Sequence, residues 1–241
     1  DDLALAGADG FIFEPFVGSE IPNYPLYLFL GVIVWEHFAA TTLASLAMPF
    51  EKAAIIQNVR FPRLILLLIV GWTHIIIFVT HVMLFVLLAF VFGVTLSLGA
   101  LYMVVILLQM SFLALGLGGI LSAFVLRYRD LRHLWDMLLT VFFWLTPIMY
   151  PYPVEAPFLQ EVLTLPEKLA QPTVSELFAA FIRFQPLSII LYDARRVLLS
   201  ADVAHVPSFG HAIGITFVCL LVFALGLFLF HRRSRFLLEV Y

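Results

Sequence analysis

The sequence predicts an all-α polytopic membrane protein. Of its 241 residues, 63% are hydrophobic. Only 12% are charged, about half the 25% or so usual in soluble domains. The apolar residues gather into five runs, and a helix needs roughly 20 apolar residues to cross a bilayer. These runs are 25–48, 64–93, 98–126, 134–150 and 209–230, read together as one transmembrane domain over 1–241.

Residues 1–24 form an outer loop, small, acidic and aromatic, with Pro22 and Pro25 marking the entry to the first span. Asp1, Asp2 and Asp9 stand where a signal peptide would need basic residues. With no initiating methionine, the chain is expected to begin inside a longer protein. The fourth run, 134–150, is short; at 1.5 Å per residue it reaches only about 25 Å, so it needs little tilt or a thin bilayer. Cys219 is the single cysteine and excludes an internal disulfide.

Five spans put the termini on opposite sides, and the basic residues choose which. Segments 49–63, 127–136 and 231–241 hold nine of the thirteen: Lys52, Arg60, Arg63, Arg127, Arg129, Arg132, Arg232, Arg233 and Arg235. The other side holds Lys168, Arg183, Arg195 and Arg196 against eleven carboxylates. Positive charge stays inside, so the C-terminus is expected in the cytoplasm and residues 151–208 outside.

The inner segment 49–63, PFEKAAIIQNVRFPR, reads as a short amphipathic helix that must stop before Pro62. Glu51 near its start suits the helix dipole. The segment serves either as a knob that docks on a soluble partner or as a helix resting on lipid head groups. In the outer segment, Pro153, Pro157, Pro166 and Pro172 break up the first part. Two short helices follow from Val174, meeting at Gln185-Pro186. In the second, Leu187, Ile190, Leu191, Ala194 and Leu198 share one face. These helices are too short to cross, so they re-enter as an outer cap or lie in the interface.

No phosphate-cradling G-x-x-x-x-G-K-[ST] motif occurs. No H-E-x-x-H or C-x-x-C occurs either, so neither catalytic nor metal-ligating residues are expected. Any work must be powered by a partner. Glu36 and His37 lie at mid-span, where an ionised group costs at least about 2.5–3.5 kcal/mol, so they face protein or water. His74 and His81 admit three readings: a haem pair, a proton relay from Glu36 to His74, or a hydrogen-bonded strip lining a conduit. The aromatics Trp35, Phe38, Tyr102, Phe142, Phe143, Trp144, Tyr150 and Tyr152 offer stacking surfaces for sugar rings, or belong to interfacial belts. Ala114, Gly118 and Ser122 recur every four residues, a spacing for close helix packing.

The stretch Arg127–Pro153, a charged elbow RYRDLRHL followed by FFWLTPIMYP, resembles the signature region of type-2 ABC transporter permeases that export polysaccharides. Arg129 with Asp130, and Phe143 to Tyr150, carry the likeness. Ile21 to Trp35 resembles the family's second-span entry, Glu51 to Arg63 its coupling helix, and Gln185 to Leu199 its outer gate helices. Gln185, Ser188 and Ala194 depart from the family's usual Asn, Thr and Tyr, while Arg195 is retained. The resemblance covers residues 21–241 and implies six spans in the full fold, the first of them preceding this chain.

It further implies a homodimer with two ATPase subunits that bind ATP and magnesium, in the bacterial inner membrane. The cargo would be an undecaprenyl-linked glycan such as O-antigen, capsule or teichoic acid; no nucleic-acid partner is expected. Coupling to the ATPase would fall to Glu51, Lys52, Ile55, Gln57, Arg60, Arg63, Arg129 and Asp130. The substrate path would be lined by Trp35, Glu36, Phe38, Tyr102, Phe143, Trp144, Tyr150, Tyr152 and Arg195. The alternatives are an exporter of a small molecule or lipid, and a haem-bearing membrane anchor of a redox complex.

Overall fold

The computed structural model describes residues 23–51, 64–94, 98–125, 127–128, 130–150, 181–182, 184–199 and 207–233. Six α-helices order them: α1 (Tyr24–Glu51), α2 (Leu64–Val91), α3 (Met103–Val125, entered by a 3-10 turn from Leu98), α4 (Leu131–Leu145), α5 (Pro186–Leu199) and α6 (Phe209–Arg233). Four stretches are long and apolar enough to cross a membrane: α1, α2, Gly99–Val125 and α6. The all-α membrane architecture read from composition therefore holds. Lys52, Ile55, Gln57, Arg60, Arg63, Arg129 and Tyr152 lie outside the described residues, as do most of the loop 1–24 and of segment 151–208.

Side-chain pairs fix the direction of each helix. His37 meets Phe78 and Phe29 meets Phe85, so α1 and α2 are antiparallel. His37 meets Ser111 and Ser45 meets Ser122, so α1 and α3 are parallel. Gln109 meets Thr216 while Gly119 abuts Gly226, so α6 runs with α3. Thr42 meets Trp135 and Trp35 meets Phe143, so α4 opposes α1. One end of the bundle thus holds Tyr24, Tyr150, Arg195 and Phe209. The other holds Glu51, Leu64, Leu131 and Arg233.

The fourth expected span is helical over a narrower range than 134–150. Helix α4 has 15 residues, about 22 Å. It stops at Leu145 because Pro147 drives Thr146 out of the helical region, to φ −83° and ψ 135°. The Tyr150 hydroxyl then donates to the Leu145 carbonyl at 3.0 Å, satisfying one of the acceptors the helix end leaves open. The turn 146–150 carries the chain on to α1's entry, where Tyr24 and Tyr27 donate to the carbonyls of Met149 and Tyr150. Helix and turn together run beside α1 from Thr42 to Tyr24, about 27 Å of rise, which approaches the thickness of the hydrocarbon core.

Pro49 also falls differently from expectation. It does not open a separate helix but sits inside the last turn of α1, which continues to Glu51. A proline there has no N–H for the carbonyl four residues back. That carbonyl belongs to Ser45, and the Ser122 hydroxyl of α3 donates to it instead. Gly118 permits the approach, since a Cβ there would stand 2.6 Å from the Ser45 side chain. The Gly118–Ser122 spacing is thus a packing device between α1 and α3.

Helix α5 neither lies on the lipid interface nor caps the bundle loosely. Leu187, Ile190, Leu191, Ala194 and Leu198 are all buried, and so are Ile189 and Val197 on the far side. The helix begins at Pro186, as the proline predicts. It is wedged among α1, α3 and α6 at the Tyr24 end of the bundle.

A polar membrane face and a clamped outer helix

Glu36 occupies the middle of α1, yet it is exposed. It lies on a stripe with Pro25, Val32 and Ala40, the part of α1 that no other described helix covers. No hydrogen bond or ion pair joins it to any described residue. Its neighbour His37 faces inward, buried, 3.1 Å from the Ser111 hydroxyl and against the Phe78 ring. His74 binds its own helix, with Nδ1 2.8 Å from the Val70 carbonyl. No described hydrogen bond links Glu36 to His74, and no group of three metal-binding side chains occurs among the described residues. His37 and His74 are thus placed as packed, hydrogen-bonded side chains.

Helix α4 has three faces. Trp135, Leu139 and Phe142 turn inward; Trp135 is pinned by its indole N–H to the Thr42 hydroxyl at 3.1 Å. Leu134, Met137, Leu138 and Val141 form an exposed apolar face. Arg132, Asp136 and Thr140 form an exposed polar one. Each residue turns a helix by about 100°. Glu36 follows Trp35, which faces α4, and Asp136 and Thr140 follow Trp135 and Leu139, which face α1. Because the helices are antiparallel, the two rotations are mirror images seen from one end. Both polar stripes therefore open on the same side of the pair.

The Tyr24 end of the bundle holds a second construction. Arg195 of α5 is only 5% exposed. Its guanidinium donates to the Tyr27 hydroxyl at 2.6 Å and to the carbonyls of Pro147 at 2.5 Å and Ile148 at 2.6 Å. Its Cζ lies 3.5 Å from the centroid of the Tyr27 ring, and the planar fork suits both contacts. Burial lowers its pKa to about 10, so it stays charged near neutrality. Gly31 makes room: a Cβ there would stand 2.6 Å from Nη2. Two residues earlier, Asp193 is buried and meets His211 Nε2 of α6 at 3.0 Å. Asp193 and Arg195 are about 200° apart round the helix, so α5 is held from opposite sides.

Three residues expected on a substrate path lie elsewhere. Trp35 and Phe38 are buried in the core, where Trp35 packs edge-on against Phe143. Arg195 is spent on the internal clamp. Trp144 is 61% exposed and Glu36 is open; Phe143, Tyr102 and Tyr150 are half-buried. Asp130 precedes α4 at the inner end, beside the exposed Glu51 end of the bundle.

The face just described belongs to a chain with recognisable kin. Over 228 residues, 94% of its length, it is 24% identical to the O-antigen export system permease protein RfbA of Klebsiella pneumoniae. A protein of the same name from Myxococcus xanthus is 31% identical over 141 residues. The chain is a relative of the O-antigen export permeases. A further Klebsiella pneumoniae protein of that name is 26% identical over 191 residues. The matched stretches span 79% of the first Klebsiella protein's length, 66% of the second's and 54% of the Myxococcus protein's, so the chain matches about half of the last. No family model matches the chain. Tyr27 lies 168 positions from Arg195, so nothing local in the sequence marks it as part of the clamp, and the Asp193–His211 contact crosses from one helix to another; Arg195, with Arg196 in a largely apolar helix, gave the signal.

Proposed function

We propose that this chain is the membrane-spanning subunit of an ATP-driven exporter of a lipid-linked polysaccharide in the bacterial inner membrane. The observation that carries the reading is Glu36, exposed at mid-helix and without a partner among the described residues, in a chain whose relatives are named export permeases. A carboxylate there costs several kcal/mol against lipid (at least about 2.5–3.5 kcal/mol). It is stable only against water or protein. The stripe of Glu36 with Asp136 and Thr140 is accordingly one wall of a hydrated passage, and a second copy of the chain supplies the opposite wall.

In this reading the outer end is the one holding Tyr24 and Arg195, and the C-terminus is cytoplasmic, as the basic residues require. An ABC ATPase, present in two copies, binds ATP and magnesium and pushes on segment 51–63, with Arg129 and Asp130 nearby. The undecaprenyl-linked glycan then passes along the α1 and α4 stripes, with Trp144 exposed beside them. Two measurements test this. Removing the chain from its cells should abolish the surface glycan, and restoring it should return the glycan. Charge reversal at Glu51 and Arg60 should leave the ATPase turning over while export falls at least tenfold. Normal surface glycan without the chain would refute the function; normal export in the reversed variant would refute the coupling role.

A further inference from the structure

The mid-membrane passage needs a seal at its outer end, and α5 is the described helix wedged there. Two of its charged side chains, Asp193 and Arg195, are held very differently. Arg195 is the stronger anchor: two carbonyls, a hydroxyl and an aromatic face receive it, all contributed by α1 and the turn after α4. Asp193 reaches across to α6 through the His211 ring, which sits in the first turn of that helix and is 23% exposed. The Tyr102 hydroxyl is near enough to feel the Asp193 carboxylate, yet no described hydrogen bond joins the two. The α6 helix itself is fixed to α3, by the Gln109–Thr216 hydrogen bond at 2.9 Å and by glycine-to-glycine backbone contact at Gly116 and Gly226. Of the two sides of α5, the Asp193 side is tied by the weaker attachment.

We propose that Asp193 and His211 are positioning residues that hold α5 shut against α6, and that the helix opens by parting there while pivoting on the Arg195 anchor. This rests on the export reading above and adds to it which contact separates. The α3–α6 pair stays together during opening, and so does the Arg195 cluster. A buried carboxylate whose only described ion-pair partner is removed is strongly disfavoured, so the parted state needs Asp193 to reach water. Its place beside a ring already part-exposed provides that route.

The test uses the full chain with its native partners in cells. Asp193→Cys with His211→Cys forms one oxidisable pair; Gln109→Cys with Thr216→Cys forms the control, and Cys219 is replaced by Ser in both. Surface polysaccharide is labelled with periodate and a hydrazide dye. The 193–211 pair, once oxidised, should lower labelling at least tenfold, and a membrane-permeant reductant should restore it, which also shows that the variant folds. The oxidised 109–216 pair should leave labelling within twofold of the wild type. A bond formed at 193–211, verified by mobility shift, with export undiminished would overturn the proposal, and so would an equal block by the control pair. If cells lacking the chain label normally, the export reading itself fails, and that result is seen before any bond is formed.

Discussion

Gly226→Ala would add one methyl to α6, and the structure gives both its position and its cost. The new Cβ would lie 2.8 Å from the Gly116 Cα and carbonyl carbon of α3, and closer still to that carbonyl's oxygen. Ordinary contact begins at 3.4 Å, so α3 and α6 must separate by more than half an ångström. All three obstructing atoms are backbone, which leaves no rotamer to relieve the clash. Overpacking of this kind costs about 1–3 kcal/mol, and the rigid neighbour places it near the upper value. A gap of 0.5–1 Å also forfeits roughly a quarter to a half of each displaced dispersion contact. Alanine returns about 1 kcal/mol through helix propensity, leaving a net loss of about 2 kcal/mol. Gly214→Ala on the same helix meets nothing within 4 Å and should be neutral or gain up to about 1 kcal/mol. Melting of the detergent-solubilised protein should therefore separate the two variants by several degrees, Gly226→Ala below and Gly214→Ala at or above wild type. Equal melting temperatures would refute the backbone contact between α3 and α6.

Three further outcomes follow from the same coordinates. Arg195→Lys keeps the charge but offers a single ammonium where Tyr27, Pro147 and Ile148 each accept; about 2 kcal/mol of stability should be lost, and an undiminished melting temperature would refute the clamp. Glu36→Cys in membranes should react with a water-soluble maleimide, whereas Ile76→Cys, on an exposed apolar face of α2, should stay unlabelled; the reverse pattern would show that the Glu36 stripe faces lipid. Ser122→Ala removes the donor that serves the Ser45 carbonyl left open by Pro49 and should cost about 1–3 kcal/mol, while Pro49→Ala in the same background should restore part of that loss by supplying an N–H.

Much of the fold is legible in the chain because bilayer crossing depends on local composition. The runs that became α1, α2, α3 and α6 are apolar enough to be recognised one at a time, and Pro186 marks the start of α5 without reference to any neighbour. The site was legible only in part. Glu36 declares itself as an ionisable residue in an apolar span, but nothing in the sequence shows that Trp35 and Phe38 turn into the core instead of sharing its open face; about 100° of helical rotation separates Trp35 from Glu36. Arg195 was visible as a cation in a largely apolar helix, but its burial depends on Tyr27, Pro147 and Ile148, which lie 47 to 168 positions away.

Composition and charge by themselves determined a helical membrane protein, the runs that form its four long apolar helices among the described residues, and the uneven spread of its basic residues. Those are sums over local stretches, and no folding partner changes them. Tertiary structure decided the rest. It stopped α4 at Leu145 and carried the chain on in a turn held by Tyr24 and Tyr27. It also buried α5 between two opposed clamps and turned the polar stripes of α1 and α4 to one side. The reason is geometric: which side of a helix meets protein depends on where its neighbours stand, and that is set only when all of them pack at once.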